Sequence, residues 1–319
     1  MLEPQDWPTL HGLYFTARRL VEGALSGGHE AATLGFGGDF FDYRPYVAGD
    51  DVAHVDWKLF GRTDRLYLRR YRRMADLHLY VMLDTSWSMH FAGLGRRGRP
   101  VAGGNVVTKL EYGKRLAAVI AMLTVRQGDR VGLGVFADGL LDHLPAAGTM
   151  ASLKRFCAAV EQASASPGEG DVSKSLRQAY ALQKRRGVLV LITDALDPAG
   201  PIVEELSRYR FARSRGGLVR EHGWDVIVMQ VLTRQELDLS ALADMRLTMV
   251  DAETRQSVPV DVGKVARRYR ELVAQHVASL RRQCAARGIG HHVVTTDKPV
   301  AVALRRIMKV GGRWRGQCL

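Results

Sequence analysis

The stretch Asp84-Thr85-Ser86-Trp87-Ser88 sets one carboxylate and two hydroxyls at alternate positions. Oxygen donors of this kind suit a hard divalent cation. Mg2+ or Mn2+ keeps several waters in its shell, so one carboxylate and two hydroxyls are chemically adequate. The stretch contains no Cys or His, which disfavours a soft metal. A second carboxylate, Asp194, ends the apolar phrase Leu189 to Thr193. The same residues also have a purely local use: Asp84 and Asp194 as helix caps, Ser86 and Ser88 as partners for turn backbone.

The elements around these residues decide how much the spacing means. From Leu77 onward, strand-like apolar runs alternate with helical segments, the pattern of βα units and a mostly parallel sheet covered on both faces. Leu77–Leu83 reads as the first strand and Val188–Thr193 as a later one, so Asp84 and Asp194 both fall where a strand ends. In such sheets ligands bind outside the carboxyl ends of the strands. Thr108-Lys109-Leu110-Glu111 has capping-box spacing and opens a helix that runs to Gly128. Val131–Phe136 and Gly139–Leu144 flank a turn and predict a hairpin with an antiparallel edge strand. Helices are expected over 151–163, 172–183, from Pro201, over 263–287 and over 300–310, with strands at 224–232 and 291–296. Upstream lie a helix over 10–25, a Gly-rich stretch over 26–38 and a polar, aromatic, irregular stretch over 39–73.

At this point Tyr80 to Met89 and Val190 to Asp197 resemble the metal-ion-dependent adhesion site of von Willebrand factor A domains, a likeness spanning about 77–296. The fold it implies is a Rossmann-type, doubly wound α/β sheet. In that family two serines and a middle-loop threonine coordinate the metal, the aspartates act largely through water, and an acidic residue of a partner completes the shell. Carried over, these are Ser86, Ser88, Asp84 and Asp194. The middle loop reads Pro167-Gly168-Glu169-Gly170-Asp171-Val172-Ser173, so Gly170 stands at the threonine position and the third hydroxyl is missing. Asp171 or Ser173 is the available substitute.

The upstream stretch resembles a narrower group. Gly37-Gly38-Asp39-Phe40, Arg44-Pro45-Tyr46, Gly49-Asp50-Asp51, Asp56-Trp57-Lys58 and Leu66-Tyr67-Leu68-Arg69 are similar to motifs of the bacterial domain of unknown function 58 family. That resemblance implies a family-specific segment over 1–76, packing on a main domain over 77–319. It also implies work beside a MoxR-type AAA+ ATPase, as an adaptor in the remodelling or maturation of another protein. Arg44, Asp50, Asp51, Asp56 and Trp57 are the candidate partner-binding residues. A charge-paired brace is the alternative reading of the same segment.

Several other chemistries are excluded by context. Gly93 to Gly98 matches G-x-G-x-x-G but begins ten residues after the strand and opens no helix, so it does not read as a dinucleotide site. No P-loop pattern occurs, which leaves any ATPase to a partner. A phosphatase with a nucleophilic Asp84 needs a second acid two positions on, and Ser86 stands there. A non-enzymatic binding protein is expected.

The bulk composition allows this reading. The chain has 319 residues, 46% apolar and 25% charged, enough for one or two domains with a real core. Its apolar runs fall short of the ~20 residues of a spanning helix. Its first residues lack a basic, apolar signal pattern, and its three cysteines suit a reducing compartment, so a cytoplasmic location is expected. Lys and Arg number 46 against 33 acidic residues, a formal charge of +13. That excess makes a nucleic-acid-associated protein the second functional reading.

Overall fold

The computed structural model describes residues 40–46, 55–71, 77–93, 107–166, 170–183, 185, 187–211, 223–250, 256–301 and 303. The expected helix over 10–25 lies outside them, as do Asp50 and Asp51, and of the helix expected over 300–310 the described residues Val300, Ala301 and Ala303 are helical. Residues 28–77 make up the smaller of two compact units, and the chain from His78 onward belongs to the larger.

In the smaller unit, the stretch read as irregular contains an antiparallel pair, β1 (Phe40–Pro45) with β2 (Tyr67–Tyr71), and a short helix, α1 (Trp57–Thr63). Asp56 caps α1, its Oδ1 accepting from the backbone N–H groups of Lys58 and Leu59 at 3.0 and 3.1 Å. This satisfies two of the four donors that a helix start leaves without partners.

The larger unit is built on a six-stranded sheet of β3 (His78–Asp84), β4 (Arg130–Phe136), β5 (Leu140–Ala147), β6 (Val188–Thr193), β7 (Asp225–Leu232) and β10 (Gly290–Thr295). A separate antiparallel hairpin, β8 (Arg246–Val250) with β9 (Ser257–Asp261), precedes the last of these. The sheet order is β10-β7-β6-β3-β4-β5. All pairings are parallel except β4 with β5, which supplies the antiparallel edge expected from the turn at Ala137-Asp138-Gly139. This is the doubly wound, mostly parallel α/β arrangement that the alternation of strands and helices predicts.

Helices cover both faces. On one lie α2 (Lys109–Arg126) and α3 (Met150–Gln162). On the other lie α4 (Val172–Leu182), α5 (Ala199–Arg210) and, after the four-residue α6 (Arg234–Leu237), the long α7 (Val262–Ala285). The strands alternate their side chains between these layers. Tyr80, Met82, Leu189, Leu191, Val226 and Val228 enter one cluster with Leu176, Leu206, Tyr209 and Leu280. Leu83 and Ile192 face α2, where a Cβ on Gly113 would meet them at 3.1 and 3.2 Å. Every residue of β6 is buried, which explains its uninterrupted Val/Leu/Ile sequence.

Close packing also dictates two glycines in β4. A Cβ on Gly134 would lie 2.5 Å from the Met82 sulfur, and one on Gly132 would lie 2.7 Å from the Tyr80 ring. Small residues here let the two large side chains of β3 lie flat across their neighbour. The capping box expected at Thr108 forms by half: Thr108 Oγ1 accepts from Glu111 N–H at 3.0 Å, while the Glu111 carboxylate turns to Lys114 at 3.1 Å. Among the described residues, no helix is long and apolar enough to cross a membrane.

Candidate functional site

Register places the two aspartates together. In the parallel pair β3–β6, Leu83 stands opposite Ile192, so Asp84 meets Thr193 and Asp194 follows at once. Thr193 Oγ1 donates to Asp84 Oδ2 at 2.6 Å, and Asp84 Oδ1 accepts from the Ser86 N–H at 2.8 Å. This second bond closes the turn that carries the chain off the sheet. Thr85 ties the same turn to β4, giving both its N–H and its hydroxyl to Phe136 O at 2.7 and 2.8 Å. Ser86 and Ser88 then bring their Oγ atoms to 3.1 Å of each other.

Burial and charge make this an unusual place for a carboxyl group. Asp84 is only 2% exposed. Burial first, and the charge of Asp194 second, push its carboxyl up to about 7, against the lowering effect of the Thr193 and Ser86 bonds. Asp194 is anchored from behind: Gln230 Nε2 donates to its carbonyl at 2.9 Å, and His291 Nε2 in turn donates to Gln230 Oε1 at 3.0 Å. The next residue, Ala195, is buried with φ of 45°. A residue with a Cβ pays for that left-handed conformation. Its N–H donates to Thr193 Oγ1 at 3.1 Å and its carbonyl accepts from His276 Nε2 at 2.8 Å, which holds the turn in place.

The middle loop arrives beside the first. Ser166 N–H donates to Thr85 O at 2.8 Å, and Asp171 N–H donates to Ala137 O at 3.0 Å. Gly170 abuts Ser86 so tightly that a Cβ on it would lie 2.8 Å from Ser86 Cβ. A threonine at this position has no room while Ser86 stays where it is. Asp171 caps α4, its Oδ1 accepting from Lys174 N–H at 2.8 Å, and Ser173 follows as the second residue of that helix. Asp171 belongs to the same field of charge: Asp197 is raised by burial first and then by Asp194 and Asp171.

Two site residues escape sequence inspection. Lys109 opens α2, and its side chain is wholly buried. Its Nζ lies 2.7 Å from Asp194 Oδ2 and 2.5 Å from Glu236 Oε1. Burial works to lower the lysine, but the charges of Asp194 and Glu236 outweigh it and raise it. Glu236 is fixed by a capping box, with its Oε2 accepting from Thr233 N–H at 2.7 Å and from Thr233 Oγ1 at 3.0 Å. The Thr233-x-x-Glu236 spacing is a visible signal for this cap. Lys109 carries a quieter one, since a cation in a first helical turn opposes the helix dipole.

The donor set fits a divalent cation in part. A pair of hydroxyls 3.1 Å apart matches an edge of an octahedron whose ligands lie about 2.0–2.1 Å from Mg2+. Lys109 pairs with buried Asp194 and half-buried Glu236, and buried Asp84 feels the charge of Asp194 beside it, so negative charge remains for a cation to relieve. The third hydroxyl is missing at Gly170, and water has to take its place.

The candidate partner-binding residues of the smaller unit differ among themselves. Asp56 is buried and occupied as a cap, Trp57 is 61% exposed beside the Phe60 ring, and Arg44 stands on β1 opposite Leu68.

Residues 42–279 match a family described as "Protein of unknown function DUF58". The uncharacterized protein Rv1480 of Mycobacterium tuberculosis (strain ATCC 25618 / H37Rv) is 26% identical over 255 residues, which is 79% of this chain and 72% of the relative. Among solved structures, the conserved hypothetical protein BatB from Bacteroides thetaiotaomicron aligns at a TM-score of 0.44 and 18% identity, covering 74% of this chain and 99% of its own. The SpRpn10 VWA domain aligns at a TM-score of 0.37 and 10% identity, covering 72% and 94%.

Proposed function

Since this chain belongs to the DUF58 family, proteins whose function that description leaves open, we propose that it is a non-enzymatic protein-binding module with a degenerate metal-ion-dependent adhesion site. The observation that carries the reading is the Ser86–Ser88 hydroxyl pair, 3.1 Å apart beside buried Asp84 at the carboxyl edge of the sheet. Ser86 and Ser88 would hold Mg2+ or Mn2+ directly, with Asp84 and Asp194 acting through water. A bound divalent ion supplies a positive charge to which an acidic residue of a partner can bind. The rest is the work of the chain: Asp84 is kept in place by Thr193 and the Ser86 N–H, and Asp194 by Gln230 and Lys109.

The same geometry supports binding over catalysis. Both oxygens of Asp84 accept hydrogen bonds and the residue is buried, a poor arrangement for a nucleophile. The partner we propose is a MoxR-type AAA+ ATPase, with the chain acting as its adaptor in the cytoplasm. Calorimetric titration of Mn2+ into the wild-type chain and Asp84→Ala tests the metal part: heat in the first and none in the second is expected, and equal binding overturns it. Co-purification with the MoxR-type ATPase of the same organism, lost on adding EDTA, tests the partner. Retention of the complex by Asp84→Ala in EDTA would show that the partner docks elsewhere.

A further inference from the structure

A wholly buried lysine in the middle of a cation site needs a reason. Burying an ammonium is costly unless it is paired, and Lys109 is paired twice, with Asp194 Oδ2 at 2.7 Å and Glu236 Oε1 at 2.5 Å. Its position at the start of α2 sets it against the helix dipole, so helix formation does not account for it. Asp194 follows β6 directly and Glu236 lies in α6, just after β7, the strand adjacent to β6 in the sheet. One of them, Asp194, is the second carboxylate of the candidate metal edge. The other, Glu236, is rigidly held through Oε2 by Thr233, which leaves Oε1 aimed at the ammonium.

We infer that Lys109 is a tethered cation that sets the divalent affinity of this edge low by taking up the charge of Asp194, with Glu236 as the counterweight that draws part of the ammonium's charge away. The inference rests on the metal-binding reading above and concerns how strongly the edge holds its ion. It follows from the contacts alone. A carboxylate 2.7 Å from an ammonium offers a second cation much less than a free one does. Asp84 and the two serine hydroxyls make their bonds to neutral groups and not to the ammonium, and Gly170 adds no fourth donor. An ion held by so few donors keeps several waters in its shell and depends on a partner's carboxylate to complete it.

The test is calorimetric titration with Mn2+ alone, on the full chain, across the wild type and three variants checked for folding by circular dichroism. Glu236→Gln keeps an acceptor for the Thr233 N–H but lets the whole ammonium charge fall on Asp194, so Mn2+ affinity should drop by about threefold or more. Lys109→Met combined with Glu236→Gln removes one charge of each sign, leaving the local net charge unchanged while freeing Asp194. Affinity should then rise by about tenfold or more. Lys109→Arg, which keeps the charge, should stay near the wild type. A merely structural lysine predicts no such opposite shifts, and unchanged affinity in Glu236→Gln and in the folded double variant overturns the inference while leaving the metal reading intact. Mn2+ uptake by the double variant but not by the wild type supports the inference and removes the metal from the proposed function of the native chain. No uptake by any of the four proteins overturns both. Should the double variant not fold, Lys109→Gln with Glu236→Gln, which keeps a polar partner for Asp194 at the same net charge, is read in its place by the same rise in affinity.

Discussion

Lys109 Nζ lies 2.7 Å from Asp194 Oδ2, and this contact joins the first residue of one helix to the first residue beyond a buried strand 85 positions away. With Glu236 as its other partner, Lys109 is the ammonium on which two nearly buried carboxylates depend.

Removing that ammonium while keeping both carboxylates should therefore be severe. Lys109→Ala leaves Asp194 and Glu236 without their counter-charge, and breaking a buried pair from one side typically costs about 3–5 kcal/mol. Urea unfolding at neutral pH should show a loss of that order. Neutralising the stranded groups together, in Lys109→Met/Asp194→Asn/Glu236→Gln, should recover most of it. A loss under about 0.5 kcal/mol in Lys109→Ala, the size usual for surface substitutions, would mean that the pairs contribute little.

Asp84 gives a prediction with a pH signature. In the folded chain its carboxyl sits at about 7, against about 3.9 for an unperturbed aspartate. The folded state thus holds a proton that the unfolded state releases between these values. The stability Asp84 contributes is full below about pH 4 and is lost as pH rises through about 7. Asp84→Asn has no such loss. In metal-free buffer it should be more stable than the wild type at pH 8, by an amount on the order of a few kcal/mol, and the gain should shrink towards pH 4. A gain that is the same at both pH values contradicts this account of the site.

How far these residues can be read from the sequence depends on the distance over which their signals act. Asp84 and Asp194 are legible because each ends an apolar run, and register in a parallel sheet does the rest. The departure at Gly170 is legible as a missing hydroxyl, but its closeness to Ser86 is a property of two loops meeting in space. Lys109 is hidden for the same reason. Locally it is an ordinary lysine at a helix start, and its partners stand 85 and 127 residues away. The hairpin of Arg246–Val250 with Ser257–Asp261 is hidden differently. Its strands are short, half-buried at best, and paired outside the main sheet, so no long apolar run announces them.

The middle loop offers a test of whether the missing hydroxyl can simply be put back. A Cβ at position 170 would lie 2.8 Å from Ser86 Cβ, an atom fixed by the backbone of the Asp84–Ser86 turn. Gly170→Ala should cost about 1–3 kcal/mol in urea unfolding, the usual penalty for overpacking. Gly170→Thr should be no better a Mn2+ binder than the wild type, because the loop must move to admit it. If Gly170→Thr instead binds Mn2+ more tightly at unchanged stability, the loop is looser than its packing implies.

His291 should act on stability in the opposite sense to Asp84 over an overlapping pH range. Burial first, followed by the charges of Arg281, His292 and His276, lowers its imidazole to about 4, while an unperturbed histidine titrates near 6.5. The folded chain keeps the ring neutral, donating from Nε2 to Gln230 Oε1, whereas the unfolded chain takes up a proton as pH falls below about 6.5. Its contribution is present above about pH 6.5 and is lost as pH falls towards about 4. Asp84 gains where His291 loses, so the wild-type profile between these values conceals both, and single variants are needed to separate them. His291→Gln retains a donor for Gln230 and cannot titrate. Its stability measured against the wild type should therefore improve steadily from pH 7 to pH 4.5. A constant difference across that range would show that the ring is already free to protonate in the folded chain.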